Sequence, residues 1–383
     1  MSTTIPSTNL PMTKSDQATA TTHDERVQAI SRWRALLNRP EFGSIAGTAM
    51  VFVFFGVFAG DSGMFNLDGV MNWSQVAGYL GIIAVGACLL MIAGEFDLSI
   101  GSMIGFAGMM MAVPAMYLGW PIWLAMLFAF AASMALGWLN GYLVVRTRLP
   151  SFIVTLAFMF ILRGLTLVLS THFGNSTIVS GVGDKVAADT IVQILFQGGT
   201  LHSLFGWLAS AGLIEKLPSG EPVVNGIPKV LIWWLVVAIS AGFVLSRTRF
   251  GNWIFTVGGD ANAAKNVGVP VRRVKISLFV FTAFCACLFG VLQVADVGSA
   301  AADRGLQKEF EAIIAAVIGG SLLTGGYGSV LGACFGALIF GVVQIGISYT
   351  SFDSDWYRVF LGAMLLLAVL FNHYIRSRVT TSK

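Results

Sequence analysis

The sequence predicts an all-α polytopic membrane protein of about ten transmembrane helices, interrupted by glycine-rich breaks, with both termini in the cytoplasm. Three observations carry that reading. Hydrophobic residues make up 56% of the chain and charged residues only 11%, with a mean hydropathy of +0.79, a balance outside the range of soluble domains. The apolar residues gather into runs near the roughly 20 residues needed to cross about 30 Å of hydrocarbon. Lys and Arg gather in the connections on one side of those runs, as cytoplasmic loops do.

Residues 1–40 begin with a Ser/Thr-rich stretch lacking an apolar core and end with Arg26, Arg32, Arg34 and Arg39. We expect a disordered, basic cytoplasmic tail there rather than a cleaved signal peptide. The membrane domain is expected over 44–373, with runs at about 44–60, 74–93, 102–118, 121–145, 151–170, 229–246, 276–295, 309–323, 329–348 and 356–373. The eighth run is short and is expected to cross irregularly, because a re-entrant loop would put Arg376 and Arg378 outside. The polar stretch 171–228 is expected on the periplasmic side. Residues 247–275 form the longest basic cytoplasmic loop, and 374–383 a short cytoplasmic tail. Asp61, Asp68, Asp296, Asp303, Asp353 and Asp355 dominate the short connections of the opposite side.

Catalytic signatures are scarce. No Gly-Lys pair occurs, so the chain has no Walker A loop and no ATP hydrolysis of its own, and no His-Glu-x-x-His is present. Cys88, Cys285, Cys287 and Cys334 all fall inside apolar runs without metal-site spacing, so neither a metal nor a redox role is expected. The net charge of +4 is accounted for by the loops and gives no reason to invoke nucleic acid. Gly328, Gly332 and Gly336, four residues apart, suit close helix approach better than a dinucleotide loop. Gly181-Val182-Gly183-Asp184 lies in a polar stretch where an acid pair could not be buried.

Four features remain as functional candidates. Gly94-Glu95-Phe96-Asp97-Leu98-Ser99-Ile100-Gly101 places two carboxylates between glycines and between apolar runs; broken helices of this kind line transporter cavities. The alternative is a solvated cytoplasmic turn in which Asp97 caps the next helix near Ser99. Arg163 lies inside a run, roughly 18 Å from Pro150 at 1.5 Å per residue, and needs a partner, water, or a snorkelling route outward. Asn140, Thr155, Gln293 and Gln344 offer hydrogen bonds to hydroxyls, and Phe152 and Trp138 offer ring faces, or they serve between helices. In the basic loop, Asp260 can N-cap a short Ala-rich helix that Gly268 ends, giving a peg suited to docking another protein.

Glu95 to Ser102, Asn140-Gly141, Pro150 to Leu156 and Arg163-Gly164 together resemble the permease subunits of carbohydrate ABC importers, the ribose and xylose branch fitting best. The resemblance continues through Val257 to Ala264, Ala315 to Ser321 and Gly325 to Ser329, in order across nearly all of 44–373. It implies a permease of the bacterial inner membrane that forms the path for a monosaccharide or related polyol and is not itself an enzyme. It also implies three partners beside membrane lipid: a second permease copy, a periplasmic sugar-binding protein, and an ATPase subunit that holds ATP and Mg. By the resemblance, Gly258, Gly259, Asp260, Ala263, Ala264, Lys265, Gly268, Arg272 and Arg273 belong to the loop that couples to the ATPase. Asp260 stands where members commonly have Asn, Gln344 where many have Asn, and 171–228 is longer than in the ribose type. The candidate path and gating residues are then Glu95, Asp97, Ser99, Asn140, Phe152, Thr155, Arg163 and Gln344. The rival reading is an ion-coupled secondary transporter titrating Glu95 and Asp97.

A shift of 231 residues aligns Ile82-Ile83-Ala84 with Ile313-Ile314-Ala315, Gly94 with Gly325, Phe96 with Tyr327, Gly101 with Gly332 and Gly105 with Gly336. That predicts a duplicated helix-break-helix unit in parallel orientation, with Glu95 and Asp97 peculiar to the first copy.

Overall fold

The computed structural model describes residues 40–350, 352–353, 355–364 and 366–367. Of the expected tails at 1–40 and 374–383, residues 1–39 and 374–383 lie outside them, and Pro40 begins the first helix. The long helices are α1 (Pro40–Phe58), α2 (Leu67–Ile92), α3 (Ile100–Tyr117), α4 (Ile122–Thr147) and α5 (Ser151–Gly174). Then come the short α6 (Val182–Ala187), α7 (Thr190–Phe196) and α8 (His202–Ser210), the long α9 (Lys229–Arg247), and α10 (Arg249–Gly259) and α11 (Ala261–Asn266). Helices α12 (Val271–Val297), α13 (Lys308–Ile318) and α14 (Val330–Ser348) follow. Four short strands complete the elements: β1 (Ile178–Ser180), β2 (Gly199–Thr200), β3 (Ile227–Pro228) and β4 (Ser299–Ala301).

Eight helices among the described residues are long and apolar enough to cross a membrane: α1 to α5, α9, α12 and α14. Most of their limits fall within about five residues of the hydropathy runs, while α2 begins at Leu67, seven residues before its expected start. The eighth run is different. Helix α13 has 11 residues, about 16 Å of rise, which is half a bilayer core. The tenth run is helical over 356–364 and 366–367, and its remainder lies outside the described residues.

Helices α2, α3, α12 and α14 are largely buried and form the centre, while α1, α4, α5 and α9 turn apolar side chains such as Met50, Val57, Val168 and Ile239 outward. Without a hydrophobic drive between helices in lipid, close backbone packing has to hold them together. Glycine provides it. A Cβ on Gly137 of α4 would lie 2.7 Å from the Phe279 carbonyl of α12, and one on Gly141 would lie 2.9 Å from Ile276 Cα. On α14 the expected close approach is found: a Cβ on Gly332 would collide with the Gly319 carbonyl, and one on Gly336 with that of Ala315.

The 171–228 stretch is folded. Helix α5 runs on to Gly174, β1 pairs antiparallel with β4 (Val179 opposite Ala300), and β2 pairs with β3 (Thr200 opposite Ile227). These strands tie the stretch to the ends of α9 and α12 that lie opposite the basic loop.

Candidate functional site

Helix α2 ends because Gly94 takes φ +80°, a left-handed conformation that glycine adopts without strain. Gly94 N donates to Met91 O and Glu95 N to Leu90 O, the paired bonds of a Schellman ending. The chain then runs through Ala93–Ser99 in a non-helical break before α3 begins.

Both carboxylates of that break and several of its main-chain N–H groups are held. Phe96 N donates to Ser151 Oγ at 3.0 Å and Leu98 N to Thr155 Oγ1 at 3.0 Å, so two hydroxyls of α5 replace the lost helical acceptors. Asp97 is 4% exposed, and its Oδ1 accepts from Ser99 N at 2.8 Å and Ser99 Oγ at 2.5 Å. Its Oδ2 accepts from Thr282 Oγ1 of α12 at 3.0 Å. Asn140 of α4 donates from Nδ2 to Ser99 Oγ at 3.0 Å, and its buried Oδ1 has no donor among the described residues. Glu95 is buried and ion-paired with Lys275, in the second turn of α12. The break is therefore not a solvated turn: burying two carboxylates requires donors and a cation, and Ser99 of the break with Thr282 and Lys275 of α12 supply them.

The structure brings Glu95, Asp97, Ser99, Asn140 and Thr155 into one buried brace. Arg163, Phe152 and Gln344 lie elsewhere. Phe152 is half exposed on the outer side of α5, as is Trp138 on α4, which stacks on Tyr142; Gln344 is half-buried on α14. Arg163 is half-buried and lies within electrostatic reach of Glu309 rather than of the break.

The basic loop sits against this brace. Thr248 caps α10 by accepting from Gly251 N, and Asp260 caps α11 by accepting from Asn262 N at 2.8 Å and Ala263 N at 3.1 Å. Gly268, at φ +85°, ends α11 with Val269 N bonded to Ala264 O. On the resulting peg Ala264 faces inward, while Ala263, Lys265, Val267, Arg272 and Arg273 are exposed. At its base a Cβ on Gly258 would collide with the Ile92 carbonyl and lie 2.6 Å from Gly326 N, and Gly326 N itself donates to Ile92 O at 2.8 Å. A Cβ on Gly325 would lie 2.8 Å from Gly258 O and 2.9 Å from Gly94 Cα. Three main chains thus meet at Gly94, Gly258 and Gly325.

The predicted duplication shows here. Gly94 and Gly325 have φ of +80° and +81° and touch each other. In each copy the helix after the break offers two glycines to a neighbouring main chain: Gly101 and Gly105 of α3 to residues 304–305, Gly332 and Gly336 of α14 to 315–319. The copies differ before the break, where α13 ends at Ile318, earlier than the shift of 231 predicts.

A second polar centre lies at the far end of α12. Asp296 accepts from Tyr79 Oη at 2.6 Å and from Gly198 N at 3.0 Å, joining α2 and the 171–228 stretch to α12. Sequence reasoning named neither Thr282, Tyr79 nor Glu309 as a site residue. Glu309 carried a readable signal, an acid within an apolar run; the hydroxyl partners did not, since a Thr in a span looks like any small residue.

The family model described as "Branched-chain amino acid transport system / permease component" matches residues 69–369. The chain belongs to that family of membrane permeases. It is 30% identical over 87% of its length to the xylose transport system permease protein XylH of Escherichia coli (strain K12), covering 91% of that protein. It is also 30% identical to the ribose import permease protein RbsC of the same strain, over 80% of this chain and 86% of that one. The inner membrane ABC transporter permease protein YjfF of that strain is 30% identical over 76% of this chain and 79% of its own. No solved structure matches the chain. The resemblance read from the motifs holds, and the permease is a multi-pass membrane protein of the ABC importer class. The ion-coupled alternative is not favoured: Glu95 is occupied by Lys275 and Asp97 by three donors.

Proposed function

We propose that this permease forms the path by which a monosaccharide or related polyol crosses the bacterial inner membrane, driven by ATP hydrolysis in a separate subunit. The names of the xylose and ribose relatives support the substrate class. The exposed peg of α11, with its cations and Val267, is the seat for the ATPase, which binds ATP and Mg; this chain needs no cofactor. The chain acts as a dimer with a second copy, in contact with lipid, and receives substrate from a periplasmic binding protein docked near 171–228. In this reading the domain spans 44–373 and crosses ten times: the eight long helices, the irregular path 302–318, and the helix beginning at 356. The basic loop and both tails are then cytoplasmic.

The observation that carries the proposal is the meeting of Gly258 with Gly94 and Gly325, reinforced by Lys275 on Glu95. A push on the peg is delivered to both membrane breaks at once, and the brace of Asp97, Ser99, Asn140, Thr155 and Thr282 passes it to α4, α5 and α12. Rocking of these helices about the breaks gives alternating access. The test is co-purification: the chain should bring down an ATPase from its own cell, and a chain with 260–268 replaced by a Gly-Ser linker should bring down none while remaining folded. Undiminished recovery of the ATPase would remove the coupling assignment.

A further inference from the structure

We infer that the middle of the membrane domain carries a water-lined surface that binds a neutral, hydroxyl-rich substrate through Arg163, Arg304, Gln307 and Glu309; the inference deepens the importer reading and rests on it.

Depth follows from two helices counted from the basic face. Thr155, bonded to Leu98, lies four residues from Ser151 at the basic-face end of α5, and Asn140, bonded to Ser99, lies seven residues from Thr147 at the end of α4. At 1.5 Å per residue those are about 6 and 10 Å above the basic face. Gly101 and Gly105 come next on α3, and Cβ atoms there would lie 2.5 Å from Gly305 O and 2.9 Å from Arg304 O. Residues 304–309 therefore cross α3 at about 10–20 Å, the middle of the bilayer. Arg163, about 18 Å along α5, is at the same level.

Non-helical backbone and ionisable side chains at that depth cannot face hydrocarbon; they face protein or water. Yet Gln307 is exposed, and Arg163 and Arg304 are half-buried. Gln307 also holds φ +66°, a strained conformation for a residue with a side chain, of the kind that gathers at binding sites. Glu309 is 2% exposed, and its Oε2 accepts from no donor among the described residues. A desolvated carboxylate oxygen without a donor is costly, and a substrate hydroxyl supplies one. The guanidinium groups and the Gln307 amide donate to the oxygens of the same hydroxyls, while Lys308 is held by Glu311. Gly101 and Gly305 close over Glu309 in this state, so the hydroxyl reaches Oε2 when α3 and the 302–307 segment part during transport.

The test uses the permease reconstituted in liposomes with its ATPase and binding protein. Q307C and the outward-facing control V168C are treated with a membrane-impermeant thiosulfonate, and label taken by the unaltered chain is subtracted. Because thiolates form in water and not in hydrocarbon, Q307C should react at least about tenfold faster than V168C. D-xylose or D-ribose should slow that reaction, and leucine should not. Equal reactivity of the two variants, or ready disulfide formation between the introduced thiols of two Q307C copies, would overturn the surface; protection by leucine alone would overturn the substrate class. If the ATPase still co-purifies, the importer reading survives either loss; if the unaltered chain recovers no ATPase, both fall.

Discussion

Lys275, one turn into the helix that follows the peg, holds the carboxylate of Glu95 in the break between α2 and α3. The pair lies 180 residues apart in sequence, and it makes the basic loop and the membrane break one mechanical unit. Because both charges are largely withdrawn from water, removing one costs more than removing both.

Replacing Lys275 by Met should therefore destabilise the permease by about 3 kcal/mol, while the double variant K275M/E95Q should recover much of the loss. Thermal unfolding in detergent reads both. Equal stability of the single and double variants would mean that the pair is not coupled.

The backbone contact at Gly258 should be intolerant. A methyl group there would meet the Ile92 carbonyl, whereas a methyl group on its neighbour Gly259 would meet nothing within 4 Å. We expect G258A to cost about 1–3 kcal/mol and to uncouple ATP hydrolysis from transport, and G259A to do neither. Uptake per ATP hydrolysed distinguishes them.

Asp97 satisfies three donors, so Asp97→Ala should destabilise by about 1–3 kcal/mol. Asp97→Asn keeps the acceptor facing Ser99 and should cost less, yet still lower the transport rate, since an amide holds Thr282 differently. A solvated turn predicts unchanged transport in both variants, and rates measured at matched protein levels decide the matter.

Asp296 fastens the 171–228 stretch through Gly198 and α2 through Tyr79. Asp296→Ala should expose that stretch to protease added outside spheroplasts, with ATPase recovery unchanged. Loss of the ATPase in this variant would place Asp296 in the general fold rather than in the outer assembly.

Much of this architecture was legible in the sequence, for identifiable reasons. Hydropathy located α1 to α5, α9, α12 and α14 because length and apolar content alone decide whether a helix spans. Asp260 and Gly268 marked the ends of α11 because capping is local. The break at Gly94 was visible for the same reason, and its alignment with Gly325 pointed to a repeated break, while the contact between the two glycines came only with the structure. What sequence could not supply was the set of partners. Asp97 is satisfied by Thr282, 185 residues away, and Asp296 by Tyr79, 217 residues away; a hydroxyl on an apolar helix gives no sign of which neighbour it will face. Counting along its helix puts Arg163 inside the membrane, about 18 Å from Pro150, but does not show that it faces Glu309, the acid at the start of the short, irregular eighth run. The half-length α13 was hidden as well, since hydropathy sees apolar content and not where the helix starts.

The most direct test of the account is uptake of D-xylose and D-ribose into liposomes holding the complete importer, with ATP supplied and ion gradients collapsed by ionophores. We predict that ATP-dependent uptake persists without gradients and disappears when 260–268 is replaced by a Gly-Ser linker. Uptake that vanishes with the gradients while ATP remains, or that survives the linker, would contradict it.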